Sequence, residues 1–116
     1  MIVHLDIAAF FDKSAPMIVI AGTLPINPDK RAEAEAACLT MAAASQAEAG
    51  CTAYRFGTSL ENPNLIVLHE EWADQSSIDA HNKSAHMAAF GAALGSVLAG
   101  GPEFYRYDND NKVSLF

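Results

Sequence analysis

Positive charge is scarce in this sequence. Seven Lys and Arg stand against 14 Asp and Glu in 116 residues, for a net charge of -7. The basic residues form no run, so the chain repels phosphate backbones, and nucleic-acid binding is set aside. An anionic membrane surface is disfavoured on the same ground. Long apolar runs are missing too: nothing approaches the roughly 18 residues that a bilayer span needs. The N-terminal segment MIVHLDIAAFFDKSAP is apolar, but it lacks a basic n-region and Asp6 interrupts it, so it does not read as a signal peptide. With no targeting motif, a cytoplasmic location is expected. Cysteine is nearly absent. Cys38 and Cys51 form no CxxC pair and read as small buried hydrophobes rather than a disulfide. Phosphate loop, Rossmann glycines, GxSxG and HExxH are all missing, which removes the usual signatures of nucleotide, flavin and serine-hydrolase sites.

What is present is apolar: 51% of the residues, enough for one core and one domain over residues 1–116. Its core is expected at about 17–107, between an N-terminal arm and a C-terminal tail. Met17 to Leu24 reads as a β-branched strand bounded by Pro16 and Pro25. Gly22 inside it marks a bulge or a close approach by another group. Asn27-Pro28-Asp29 opens a helix as N-cap, first residue and dipole-facing acid. Ala34, Cys38, Met41 and Ser45 form its buried stripe, and Gly50 ends it. Cys51 to Ser59 and Leu65 to Ala73 form an antiparallel hairpin across Glu61-Asn62-Pro63-Asn64. Thr52, Tyr54, Phe56 and Thr58 share one face of the first strand. On the second, Ile66, Leu68, Glu70 and Trp72 oppose Leu65, Val67, His69 and Glu71. Asp74 caps a helix from Gln75 to about His81, and Ser84 caps another that reaches Gly100-Gly101. Glu103 to Tyr107 is the last strand.

The order β-α-β-β-α-β is α+β and ferredoxin-like, with a four-stranded antiparallel sheet and helices on one face. The third strand carries apolar residues on both faces. A second copy covering the bare face is the natural remedy, so a homodimer is expected. The Val113 to Phe116 tail would pack on that partner.

Polar residues on apolar elements are the candidate site. Glu70 beside Trp72 would be a base if burial raised its pKa. It could equally pair with Arg55 or Arg106 across the sheet. His81 is a helix-end histidine or a proton acceptor, since histidine ordinarily titrates near neutrality. Trp72 and Tyr54 are core residues or pocket walls. His81 and His86 lie about 140° apart on one continuous helix. With no acidic cluster at ligand spacing, no metal site is expected.

Three segments resemble a known family. Ser45-Gln46-Ala47-Glu48-Ala49-Gly50-Cys51-Thr52-Ala53-Tyr54 is similar to Ser-x-x-Glu-x-Gly-Cys-x-x-Tyr. Glu70-Glu71-Trp72-Ala73-Asp74 is similar to Glu-x-Trp-x-Asp, and His81 through Phe90 to His-x-x-Ser-x-His-x-x-x-Phe. These mark the antibiotic biosynthesis monooxygenase superfamily, in particular its small quinol-monooxygenase-like branch. The resemblance implies a dimeric α/β barrel. It also implies oxygenation of a small phenolic or quinol-type aromatic with O2 as co-substrate and no cofactor. Haem-degrading members use an Asn, a Trp and a His. Trp72 and His81 match two of these, but Ala21 and Gly22 stand where the Asn belongs, so haem is not expected. A proton-shuttling isomerase of a small carbonyl compound and a non-catalytic small-molecule-binding dimer are the alternatives.

The site expected on these grounds lies between the sheet and the second helical region. His81 is the preferred proton acceptor and Glu70 the second. Trp72, Tyr54, Phe56, His86 and Phe90 would bind the aromatic substrate. A break at Asn82-Lys83 would aim His81 inward.

Overall fold

The structure is a computed structural model that describes residues 16–116. The N-terminal arm, His4 included, lies outside the described residues. The first strand, β1, spans Met17–Pro25. Asn27 then turns the chain: its side chain accepts from the Asp29 amide at 3.1 Å, opening a short 3-10 turn at Pro28–Lys30. Helix α1 follows at Arg31–Gln46, burying Ala34, Cys38, Met41 and Ser45, the stripe that the three-and-four spacing predicts. The hairpin is β2 (Cys51–Thr58) and β3 (Leu65–Trp72). Two helices, α2 (Gln75–Asn82) and α3 (Ala85–Val97), lead to β4 (Glu103–Asn109).

The four strands are antiparallel in the order β2-β3-β1-β4. Ile66, Leu68, Glu70 and Trp72 are buried on one face of β3, while Val67 and His69 are exposed on the other. Strand alternation thus reads β3 correctly. On β2 a register shift between Cys51 and Ala53 takes Thr52 out of the alternation. Its hydroxyl bonds to the Glu71 carbonyl at 3.2 Å. Tyr54, Phe56 and Thr58 keep the expected face, opposite Glu70, Leu68 and Ile66. Gly22 is not a bulge. A Cβ there would lie 2.5 Å from a Phe104 ring carbon and 2.8 Å from the Glu103 carbonyl oxygen, so glycine permits the close approach of β4.

Among the described residues, the closed barrel expected from the family resemblance does not form. The sheet is open, with β2 and β4 as its edges. Four strands are too few to curl around a packed interior; closure with a filled interior takes about eight. Every residue of β4 is exposed. Leu24, Ile26, Met41, Trp72 and Val97 are the largest fully buried apolar side chains, so the core lies between the sheet and the helices. No helix among the described residues is long and apolar enough to cross a membrane.

Candidate functional site

The sheet supplies the floor of the site. Tyr54, Glu70 and Ile20 face one another across β2, β3 and β1. Trp72 is fully buried, and its indole Nε1 donates to Glu70 Oε1 at 2.8 Å. Burial pushes the Glu70 carboxyl above the usual carboxylate range. The indole hydrogen bond and His81 oppose that shift, and Glu48 adds to it. Burial likewise raises the Tyr54 phenol, with Glu70 reinforcing it. The ion-pair reading of Glu70 is not realised: Arg55 sits opposite His69, and Arg106 bonds Asp108 and Gln75.

The helices supply the roof. Asp74 caps α2 by accepting from the Ser77 amide at 2.9 Å. Ser84 caps α3 by accepting from the Met87 amide at 3.1 Å, and its hydroxyl donates to the His81 carbonyl at 2.6 Å. The break between the helices falls at Lys83 and Ser84, one residue later than the Asn82-Lys83 reading, because Asn82 is the last residue of α2. It undoes the rotation that one continuous helix would impose. The His81 and His86 rings come to 5.7 Å between centroids. His81 is 3% exposed, with Trp72 at 4.6 Å and Tyr54 at 5.6 Å between ring centroids.

Glu48 is the residue that sequence reasoning missed. The helix expected to reach Gly50 ends at Gln46, and Ser45, Ala47 and Glu48 form a turn closed by Glu48 N–H to the Ser45 carbonyl at 3.0 Å. Gly50 takes φ of 80°, and any Cβ there would collide with Ser77. The turn therefore packs against α2 and swings Glu48 inward. Its Oε1 lies 3.0 Å from His81 Nδ1 and is also bonded to His86 Nε2. Its Oε2 is buried without a partner among the described residues. The signal was present in the Ser-x-x-Glu-x-Gly-Cys segment, where no role was attached to the acid. The three groups offer ligand atoms within 4.8 Å of one another, against the expectation of no metal site.

Two clefts flank this cluster. One of about 300 Å³ runs between α1 and α3, lined by Met41, His86, Ala89 and Phe90 among others. The other, about 420 Å³, lies beside β2 and is lined by Cys38, Tyr54, Phe56 and Ile66 among others. The expected site residues thus divide: His86 and Phe90 face the first cleft, Tyr54 and Phe56 the second. Glu70, Trp72 and His81 line neither. Phe56 and Phe90, 5.5 Å apart between centroids, form the wall between them. Both cysteines are free. Burial pushes the Cys38 thiol up to about 11, with Glu35 assisting. Burial raises Cys51 too, so neither is an activated nucleophile.

Residues 17–93 match the family described as antibiotic biosynthesis monooxygenase. The chain belongs to that family. YcnE of Bacillus subtilis (strain 168) is 30% identical over 86 residues, spanning 74% of this chain and 90% of YcnE. A conserved protein from Methanosarcina mazei Go1 superposes with a TM-score of 0.75 at 28% identity, covering 78% of this chain and 90% of its own. Rv0793 from Mycobacterium tuberculosis gives a TM-score of 0.75 at 27% identity, covering 86% of this chain and 100% of its own. The matched family segment contains the whole Glu48, Glu70, Trp72, His81 and His86 cluster and stops before β4. Membership makes a monooxygenase-type, oxidoreductase activity the general expectation for the chain. Substrate and reaction have to be argued from the site.

Proposed function

We propose that the protein oxygenates a small phenolic or quinol-type aromatic with O2, bound in the cleft between α1 and α3. The observation that carries this reading is the single carboxylate oxygen of Glu48 shared by His81 and His86, with His86 lining an apolar cleft. Such a unit can take a proton from a substrate hydroxyl. His86 accepts it at the cleft and passes its Nε2 proton toward Glu48. His81, bonded to the same oxygen, shares the positive charge. Trp72 packs on His81 and Glu70 holds the indole, so the acceptor at the back of the relay is fixed in place. Glu70 is then a positioning residue rather than a second base.

A deprotonated quinol or anthrone is electron-rich enough to reduce O2 itself. The substrate loses two hydrogens and gains one oxygen atom, and the second oxygen leaves as water. In this reading the protein binds the ring, removes the proton and excludes bulk water, and no resident cofactor is required. A cleft of about 300 Å³ is at the lower end of small-molecule sites and suits a small ring system.

The partner in this reading is a second copy of the chain. Val67, Tyr105 and Tyr107 are exposed on the sheet face that the helices leave bare, and a face-to-face contact of two open sheets would cover them. A monomeric mass by light scattering at micromolar concentration would remove this part.

The activity is tested by oxygen uptake on adding hydroquinones and anthrones to metal-stripped protein. Uptake above the autoxidation blank is expected for at least one of them. Uptake equal to the blank across the panel would overturn the proposal.

A further inference from the structure

The geometry points to a binding site for a divalent first-row transition ion of zinc's class, formed by Glu48, His81 and His86. The three residues come from the turn after α1, the end of α2 and the first turn of α3. They converge only because Gly50 tightens the first turn and Ser84 breaks the helix between the histidines. Their ligand atoms lie within 4.8 Å of one another. An ion at about 2.0–2.2 Å from each donor would need only a small adjustment of side chains.

The donor set fixes the class of ion. Two imidazole nitrogens and one carboxylate oxygen suit zinc and its first-row neighbours, whereas magnesium and calcium prefer oxygen alone. Three protein donors also leave a position free for water or a ligand.

The hydrogen bonding of the apo cluster supplies the second observation. Both imidazoles crowd onto Glu48 Oε1, while Oε2 is buried with no partner among the described residues. Buried polar atoms are nearly always paired. A cation among the three groups would engage the carboxylate and both ring nitrogens, and it would meet one negative charge with Glu70 close behind. The support around the ligands is already in place: Trp72 packs on His81, and Ser84 fixes the backbone of the same residue. An access route exists as well, because His86 and Glu48 are partly exposed at 22% and 17% of their side chains.

Binding of this kind needs no oxygenation. Its consequence for the proposed reaction, which rests on that reading, is inhibition. The ion would occupy the nitrogens that His81 and His86 turn toward Glu48, and so would block the proton relay.

The test is calorimetric titration of Zn²⁺ into the EDTA-treated full chain, without substrate. One saturable site per chain is expected. His86→Ala and Glu48→Gln should each weaken it by more than roughly 100-fold, beyond the loss from a merely supporting residue. His69→Ala, on the opposite sheet face, should leave it unchanged. Circular dichroism identifies any variant that fails to fold, and His86, on the surface of α3, is the less disruptive of the two. Absence of saturable binding would overturn the inference, as would affinity unaltered in the folded ligand variants or lost equally in His69→Ala. Oxygen uptake plays no part in this readout, so failure of the proposed reaction leaves it intact.

Discussion

The indole of Trp72 donates to the carboxylate of Glu70, two residues away on the same face of β3, at 2.8 Å. Both side chains lie in the core, at 0% and 6% exposure. Alternation along the strand makes such a pair possible, because residues i and i+2 point the same way. Trp72→Phe keeps most of the apolar volume but removes the donor. It should lower stability by about 1–3 kcal/mol, the cost of leaving a buried acceptor unpaired. Urea denaturation measures this. The double variant Trp72→Phe with Glu70→Leu should recover part of the loss, and an equal or larger loss in the double variant would show that the pair contributes little.

The raised pKa of Glu70 has a definite sign in stability. The folded state holds the proton on this buried carboxyl more tightly than the unfolded chain does. Its contribution is therefore complete below the ordinary carboxylate range and is lost as pH rises through the raised folded value. Glu70→Gln keeps an acceptor for the indole and removes the titration. The variant should be more stable than the parent at pH 8, with the difference shrinking toward pH 4. Thermal melts across that range check it; a variant less stable at pH 8 than at pH 4, relative to the parent, would contradict the assignment.

The sheet half of the site was legible in the sequence, and the turn half was not. Tyr54, Phe56, Glu70 and Trp72 follow from strand parity, which has a period of two and leaves little freedom once one face is buried. The His81 and His86 pair required a helix break, and Ser84 signalled it as an N-cap. Glu48 was hidden because Gly50 fixed where the helix must have ended, not where it began to unwind. The chain leaves the helix at Ala47, and periodicity says nothing about the direction of a side chain in the turn that follows. Sheet closure was illegible for another reason. It depends on whether edge strands meet, and strand alternation is the same in an open sheet and a barrel.

Gly50 has a structural role that can be tested apart from chemistry. Its φ of 80° lies in the left-handed region, and a Cβ would collide with Ser77 on α2. Gly50→Ala combines backbone strain with overpacking and should cost about 1–3 kcal/mol. Ser77→Gly loses the hydroxyl's bond to Asp74 and weakens α2 on its own, so it is the reference. Added to Ser77→Gly, Gly50→Ala meets no collision and keeps only the strain, and should cost roughly half of what it costs in the parent. No further loss in the double variant relative to Ser77→Gly alone would mean that strain at this position is negligible.

His81 separates the relay from the scaffold. His81→Asn keeps a polar group beside Glu48 but cannot share the positive charge that His86 passes on. In oxygen-uptake assays kcat should fall, by less than the roughly 10²–10⁴ that a general base supplies, because His86 still accepts the substrate proton. The far-ultraviolet circular dichroism should be unchanged. Near-full turnover would make His81 a packing partner of Trp72 and leave the relay to His86 and Glu48.

The cleft between α1 and α3 can be closed without touching the relay. Ala89 is exposed on α3 and lines the cleft beside His86 and Phe90. Ala is a strong helix former, and an exposed position tolerates a larger side chain within about 0.5 kcal/mol. Ala89→Trp would therefore leave the fold intact while filling much of a volume near 300 Å³. If the aromatic substrate binds there, KM should rise by at least roughly tenfold, equivalent to about 1.4 kcal/mol of lost binding. The relay residues keep their contacts, so kcat should change far less. The cleft beside β2 offers the control. Leu39 lines it from α1 and is exposed, so Leu39→Trp would narrow that cleft instead. A rise in KM for Leu39→Trp with none for Ala89→Trp would move the substrate to the Tyr54 and Phe56 side of the Phe56–Phe90 wall.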